Sequence, residues 1–205
     1  MTGRAVVLDG DGTPITPELV LEAYRRRCFP MADSRHGRFH WYRPQVRAVL
    51  SWDRITVPRS LRKVAAKQPY RITMDRAFER VIAACADRSE TWICRDIEAL
   101  YLALHQRSQA HSVEAWDGDE LVGGLYGLVL GGVFCGESMF HRRSDASKLC
   151  VLHLLERLQA CGFGLLDCQQ QSAHMGRFGA YEISDDAYAE LLAQYSAERR
   201  LLASA

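Results

Sequence analysis

Two carboxylates and an amide stand at fixed points in apolar, β-rich runs between Gly123 and Gln171. Glu137 lies inside Phe134-Cys135-Gly136-Glu137-Ser138-Met139-Phe140, and Asp167 and Gln169 close Leu165-Leu166-Asp167-Cys168-Gln169. In a strand, residues two apart share a face. Glu137 and Met139 are therefore expected on one side, and so are Asp167 and Gln169. A carboxylate beside an apolar wall, with an Asp beside an amide, suits a site that holds an apolar group next to a polar reacting centre. A Glu in an apolar strand is seldom buried unless paired, which favours a site role for Glu137. For Asp167 two readings stand: a catalytic group, or a cap for the turn that follows the strand.

Other motifs are weaker. Gly123-Gly124-x-x-Gly127 lies within a strand pattern and fails the context test for a dinucleotide fingerprint. Those glycines are expected to let a ligand or backbone approach closely. His36 and His40 are four apart, with nothing nearby to complete a metal site; no metal and no cofactor are expected. No serine has a nucleophile-elbow sequence. Arg59, Arg62, Lys63 and Lys67 form a basic helix face, either solvated or in contact with nucleic acid.

The whole chain sets bounds on these readings. Its 205 residues, 48% hydrophobic and 25% charged, suit one globular domain with at most a small appendage. A net charge of +1 excludes a bulk nucleic-acid binder, so any polyanion contact must be local. Seven cysteines form no CxxC pair and no ligand spacing, which reads as reduced thiols in the cytoplasm. No run is long enough to span a membrane and no signal-peptide core opens the chain. A monomer is expected.

The elements that must carry these residues follow from local signals. Residues 1–15 read as a short strand with turns, or as a loose arm. Thr16-Pro17 starts a helix with Leu19, Val20, Ala23 and Tyr24 inward. Residues 28–44 are irregular and aromatic, with a polar loop from Asp33 to Arg38. Val46–Leu50 is a strand, residues 58–67 carry the basic helix, and Tyr70–Thr73 is a strand. Asp75 is expected to cap a helix that buries Phe78, Val81, Ile82 and Cys85. A second helix buries Ile97, Leu100, Tyr101 and Leu104. His111–Trp116, Leu121–Leu130 and Val133–Phe140 form an antiparallel meander. Then come the helix Ser147–Gln159, the strand Leu165–Gln169, a loop over Ser172–Gly179, the strand Tyr181–Ile183, and a helix capped by Ser184. The order suggests an α+β domain with a GNAT-like acyltransferase layout, by analogy of fold.

At these residues the chain resembles the leucyl/phenylalanyl-tRNA–protein transferase family. The pieces run in family order: Ala23-Tyr24 with Phe29-Pro30, Arg47-Ala48-Val49-Leu50, Pro69-Tyr70-Arg71 with Thr73-Met74, Thr91-Trp92-Ile93, and Ala110-His111-Ser112. Then come Glu120-Leu121-Val122-Gly123-Gly124, Phe134 to Phe140, Ala146-Ser147-Lys148 and Asp167-Cys168-Gln169. The resemblance implies transfer of Leu or Phe from aminoacyl-tRNA to the N-terminal Arg or Lys of a protein, which marks it for N-end rule degradation. It implies a small N-terminal α+β domain, residues 1–45, on a GNAT-like catalytic domain, residues 46–205. Carried over by motif, Asp167 and Gln169 correspond to the catalytic pair and Glu137 to the aminoacyl-ester site. Trp92 and Met31 correspond to positions packing on the terminal adenosine. Leu125, Met139, Val151 and Leu154 would form the aminoacyl pocket, and Arg59, Arg62, Lys63 and Lys67 would hold the acceptor stem.

The chain also departs from the family pattern. Members usually carry Phe-Pro-Trp where Phe29-Pro30-Met31 stands, and Trp-Trp-Ser-Pro where Trp41-Tyr42-Arg43-Pro44 stands. Leu125 replaces a Met, and the run Gln170–Phe178 differs, although His174 still matches. Other readings are a divergent paralogue with another donor or acceptor amine, and a non-catalytic aminoacyl-tRNA or N-degron binding module. An acyl-CoA acetyltransferase is disfavoured because His141-Arg142-Arg143-Ser144-Asp145-Ala146 stands where a pyrophosphate loop belongs.

Overall fold

A computed structural model describes residues 14–197 and 200–202. The strand or arm expected over residues 1–15 lies, up to residue 13, outside them. Helix α1 spans Pro17–Arg25, with the Thr16 hydroxyl accepting from the Leu19 N–H at 3.3 Å. Such a cap contributes about 1 kcal/mol. Its buried stripe is Val20, Leu21 and Tyr24, while Leu19, expected inward, is 41% exposed. Residues 28–44 are more regular than expected. Phe29–Ala32 (β1) and Phe39–Tyr42 (β2) pair antiparallel as a separate hairpin around the polar loop.

The main sheet uses β3 (Val46–Leu50), β4 (Arg71–Met74), β5 (Ala110–Asp117), β6 (Glu120–Leu130), β7 (Val133–His141), β8 (Leu165–Gln169) and β9 (Tyr181–Ser184). Its spatial order is β4-β5-β6-β7-β8-β3-β9. The meander β4 to β7 is antiparallel, β7 and β8 run parallel, and β3 pairs antiparallel with both β8 and β9. A parallel neighbour requires a crossover, and helix α5 (Ala146–Ala160) supplies it between β7 and β8.

Helices cover both faces. α3 (Phe78–Ala86), α4 (Arg95–His105), α1 and α7 (Asp185–Ser196) share one hydrophobic cluster with Tyr126, Leu128 and Leu165. α5 and α2 (Arg59–Ala65) build the other, around Leu50, Leu125, Phe134 and Leu166. The expected division after residue 45 falls between β2 and β3. Residues on both sides of it, Phe29 and Ala32 as well as Val49 and Tyr101, belong to one cluster.

Two local expectations are corrected. Asp75 does not cap α3, whose N-cap is Ala77. Its carboxylate instead accepts the Ser112 N–H at 2.9 Å and faces His111 Nδ1 at 2.7 Å, tying the end of β4 to β5. A buried backbone donor on the neighbouring strand outcompetes a helix end that solvent reaches. The loop after β8 also contains a short helix, α6 (Ala173–Gly176), capped by the Ser172 hydroxyl.

Candidate functional site

The site forms where two strands part. β7 and β8 pair only through Val133–Leu165, Phe134–Leu166 and Cys135–Asp167. Beyond that point each strand carries an extra residue. Gly136 faces Gly127 and Ser138 faces Tyr126, so Glu137 is bulged out of the β6–β7 ladder. Likewise Gln169 faces Ala48 and Asp167 faces Val49, which leaves Cys168 unpaired. Bulges bend a strand and re-aim a side chain. Gly127 makes the first possible: a Cβ there would lie 2.3 Å from the Cys135 carbonyl oxygen. The glycines of this segment thus admit neighbouring protein atoms. Gly123 is likewise filled by Ala146, whose Cβ would stand 2.6 Å away.

Between the parted strands lies a cavity of about 390 Å³, inside the range of small-molecule sites. Leu125, Met139, Val151 and Leu154 line it together with Leu166 and Met175, an apolar wall drawn from β6, β7, β8, α5 and α6. Glu137, Ser138, Cys168 and Gln169 supply its polar side. The expected apolar pocket and polar centre are therefore one space.

Glu137 Oε1 accepts from the Tyr24 hydroxyl at 2.6 Å and from Gln169 Nε2 at 2.8 Å, while Oε2 is buried with no partner among the described residues. Tyr24 in turn hydrogen-bonds Tyr101. Burial pushes the Glu137 carboxyl up to about 7, against the pull of the Tyr24, Gln169 and Tyr101 hydrogen bonds, and the nearby Asp167 charge adds to the rise. A carboxyl that changes state near neutrality is suited to proton transfer.

Asp167 does not share the cavity with Gln169. The bulge at Cys168 breaks the two-residue alternation, and Gln169 takes a left-handed backbone, φ 60°. The Asp167 side chain is fully buried. It accepts from Arg47 Nη2 at 2.7 Å, Arg47 Nε at 3.1 Å, the Tyr188 hydroxyl at 2.8 Å and the Gln169 N–H at 2.8 Å. Burial works against the Arg47 charge, but Asp167 more than offsets it and holds the guanidinium protonated. Arg47 also donates to the Arg27 carbonyl at 2.9 Å and lies over the rings of Phe29 and Tyr188.

The second wall comes from the hairpin. The Ala32 N–H donates to the Trp92 carbonyl at 3.0 Å, which seats β1 against the α3–α4 connection. Phe29, Met31 and Trp92 then line the same cavity, with Arg88 beside them and bonded to the Met139 carbonyl. Arg59, Arg62, Lys63 and Lys67 are elsewhere. They are exposed on and just after α2, form no ion pair with any described residue, and do not reach the cavity. Among the described residues no group of three or more His, Cys, Asp or Glu is placed to hold a metal ion.

The family model for leucyl/phenylalanyl-tRNA protein transferase matches residues 49–193, and that for its N-terminal domain matches residues 13–45. A leucyl/phenylalanyl-tRNA–protein transferase of Rubrobacter xylanophilus is 53% identical over 188 residues, covering 91% of this chain and 96% of its own. One from Hyphomonas neptunium is 49% identical over 177 residues, covering 84% and 69%. The chain belongs to the leucyl/phenylalanyl-tRNA–protein transferase family. A solved structure, L-PGS from Bacillus licheniformis, superposes with a TM-score of 0.45 at 11% identity, covering 76% of this chain and 66% of that one.

Within this transferase chain several residues of the site carry little signal in the sequence. Tyr24 reads as one more apolar helix position, and its bond to Glu137 spans 113 residues of sequence. Arg47 opens with Ala48-Val49-Leu50 what looks like an ordinary strand; a lone cation between apolar neighbours is the one available sign that it needs a buried partner. Arg88 sits in a polar loop that looks solvated.

Proposed function

We propose that this chain forms a peptide bond between Leu or Phe, delivered on aminoacyl-tRNA, and the N-terminal Arg or Lys of an acceptor protein, marking it for N-end rule degradation. The observation that carries this reading is the juxtaposition of the Glu137–Gln169 pair with an apolar pocket of side-chain size. The ester is already activated, so the main task is to hold amine and carbonyl in attack geometry. The amine nitrogen bonds to the ester carbonyl carbon, the bond from that carbon to the ribose oxygen breaks, and the amine proton ends on that oxygen. Glu137, ionised on about half the molecules near pH 7, takes the proton from the amine and returns it to the leaving oxygen. The attacking α-amine, with a reference pKa of about 7.7–8.0, is partly neutral at the same pH.

Gln169 orients the amine. Asp167 acts through it as a positioning residue, since its oxygens are engaged by Arg47, Tyr188 and the Gln169 N–H. Leu125, Met139, Val151 and Leu154 bury the donor side chain, worth about 1.5–3 kcal/mol, without separating similar sizes sharply. Trp92 and Met31 flank the terminal adenosine. Arg59, Arg62, Lys63 and Lys67 hold the acceptor stem. In the finer fold reading, residues 46–205 form a GNAT-like domain whose catalytic gap is the parting of β7 and β8, with residues 1–45 appended. The chain works as a monomer in the cytoplasm; among the described residues no helix is long and apolar enough to cross a membrane.

The test of the acceptor side uses Leu-tRNA with peptides that differ only in an N-terminal Arg, Lys or Asp. The Arg and Lys peptides should gain a leucine and the Asp peptide should not. Equal extension of all three would remove the acceptor assignment.

A further inference from the structure

A second cavity, of about 360 Å³, lies between α2, the start of α5 and α6. Ser60, Leu61, Asp145, Lys148, His174 and Arg177 are among its lining residues. It shares two walls with the aminoacyl cavity. On α5, Lys148 is one turn before Val151, about 4.5 Å of rise; on α6, His174 is followed by Met175 of the first cavity.

Not all of its polar groups have a partner among the described residues. His174 Nε2 is buried and has no hydrogen-bond partner among the described residues. A buried polar atom left unpaired costs about 1–3 kcal/mol and calls for an explanation. Burial first, and then the charges of Lys148, His141 and Arg177, keep this imidazole neutral. The ring therefore sits in a positive field, where an anion would be welcome. Arg177 is exposed and forms no ion pair with a described residue; its planar fork matches phosphate oxygens. Lys148 Nζ holds Asp145 Oδ1 at 2.6 Å, so an incoming anion would share that ammonium with a carboxylate. Asp145, although the N-cap of the 15-residue α5, gives it no side-chain cap, so the positive helix end adds to the field.

We infer that the cavity lined by Lys148, His174 and Arg177 binds a backbone phosphate of the donor RNA near its single-stranded 3′ end. The inference rests on the transfer reading for the identity of the polyanion. It joins the cationic face of α2, whose Ser60 and Leu61 line the cavity, to the aminoacyl cavity across α5. Phosphate contacts position a nucleic acid without reading its sequence, which suits a donor chosen by its amino acid.

The test replaces both cations, Lys148→Gln with Arg177→Gln, in the full chain, and measures charged-tRNA binding across a salt series together with the kinetics of transfer. The log–log salt slope should fall by about 0.7, the value for one single-strand phosphate that is no longer neutralised. KM for charged tRNA should rise about tenfold, the scale of one missing charge-assisted bond, with kcat held. Lys148→Arg should recover most of the affinity that Lys148→Gln forfeits. Inorganic phosphate at fixed ionic strength should compete with tRNA for the wild-type protein and less for the double variant.

An unchanged slope with normal transfer overturns the phosphate site and leaves the transfer reading standing. So does phosphate binding that the double variant loses without any change in tRNA slope. A rise in KM of the same size with 3′-aminoacyl-adenosine, which carries no phosphate, also overturns it. A reduced slope in a protein that extends no acceptor peptide supports the site while removing the transfer reading.

Discussion

Above neutral pH, Glu137 is an anion in the wall of a cavity, with Oε2 reached by no donor among the described residues. Its carboxyl titrates near 7 in the folded chain against an ordinary value of 4.5. The folded state therefore holds the proton more tightly. The stabilisation from that proton is complete below about pH 4.5 and is lost as pH rises through about 7, a difference of about 3 kcal/mol. Glu137→Gln should have a higher Tm than the wild type at pH 8, with the gap closing toward pH 5. The same variant should lose about 10²–10⁴-fold in transfer rate and the rate limb near pH 7, keeping only the limb of the acceptor amine. A variant that keeps the limb near pH 7 would assign it to another group. Glu137 is legible in the sequence as a carboxylate misplaced in an apolar strand. Its raised affinity for protons is not, because the burial that causes it comes from elements distant in sequence, as do the Tyr24, Gln169 and Tyr101 hydrogen bonds that oppose it.

At the scale of elements, the sequence shows most strands and helices through periodicity but not the hairpin Phe29–Tyr42, whose aromatics break two-residue alternation. Nor does periodicity reveal the bulges at Glu137 and Cys168, and these separate Asp167 from Gln169. A bulge is a mismatch between two strands, so neither strand alone records it. The hairpin also sets the second wall of the cavity, where we propose that the terminal adenosine packs, through the bond from Ala32 to Trp92. A Trp ring stacked on a base contributes about 1–3 kcal/mol, whereas a Met thioether against an aromatic face gives about 0.3–1.5. Trp92→Ala should thus raise KM for charged tRNA more than Met31→Ala does. Met31→Trp should bind at least as well as the wild type; loss of binding in that variant would mean that the wall no longer has the shape of its family.

Across the whole molecule, the Arg47–Asp167 pair joins elements that no local signal connects. It ties β3 to β8, holds Tyr188 of α7, and reaches the Arg27 carbonyl and the Phe29 ring of the N-terminal segment. Replacing a well-paired buried ion pair with apolar groups is often neutral, but removing one partner leaves a buried charge and costs about 3–5 kcal/mol. Asp167→Ala should therefore lower stability by that amount in denaturant titration, along with any loss of activity. A loss of transfer with stability unchanged would point to direct contact between Asp167 and substrate.

What the chain adds to an acceptor tests the transfer reading most directly. A pool of tRNAs charged with all amino acids, offered with an N-terminal-Arg peptide and read by product mass, decides it. The apolar cavity and the Glu137–Gln169 pair predict a peptide longer by one Leu or one Phe. Addition of a polar or charged residue, or no addition while charged tRNA is bound, would contradict it.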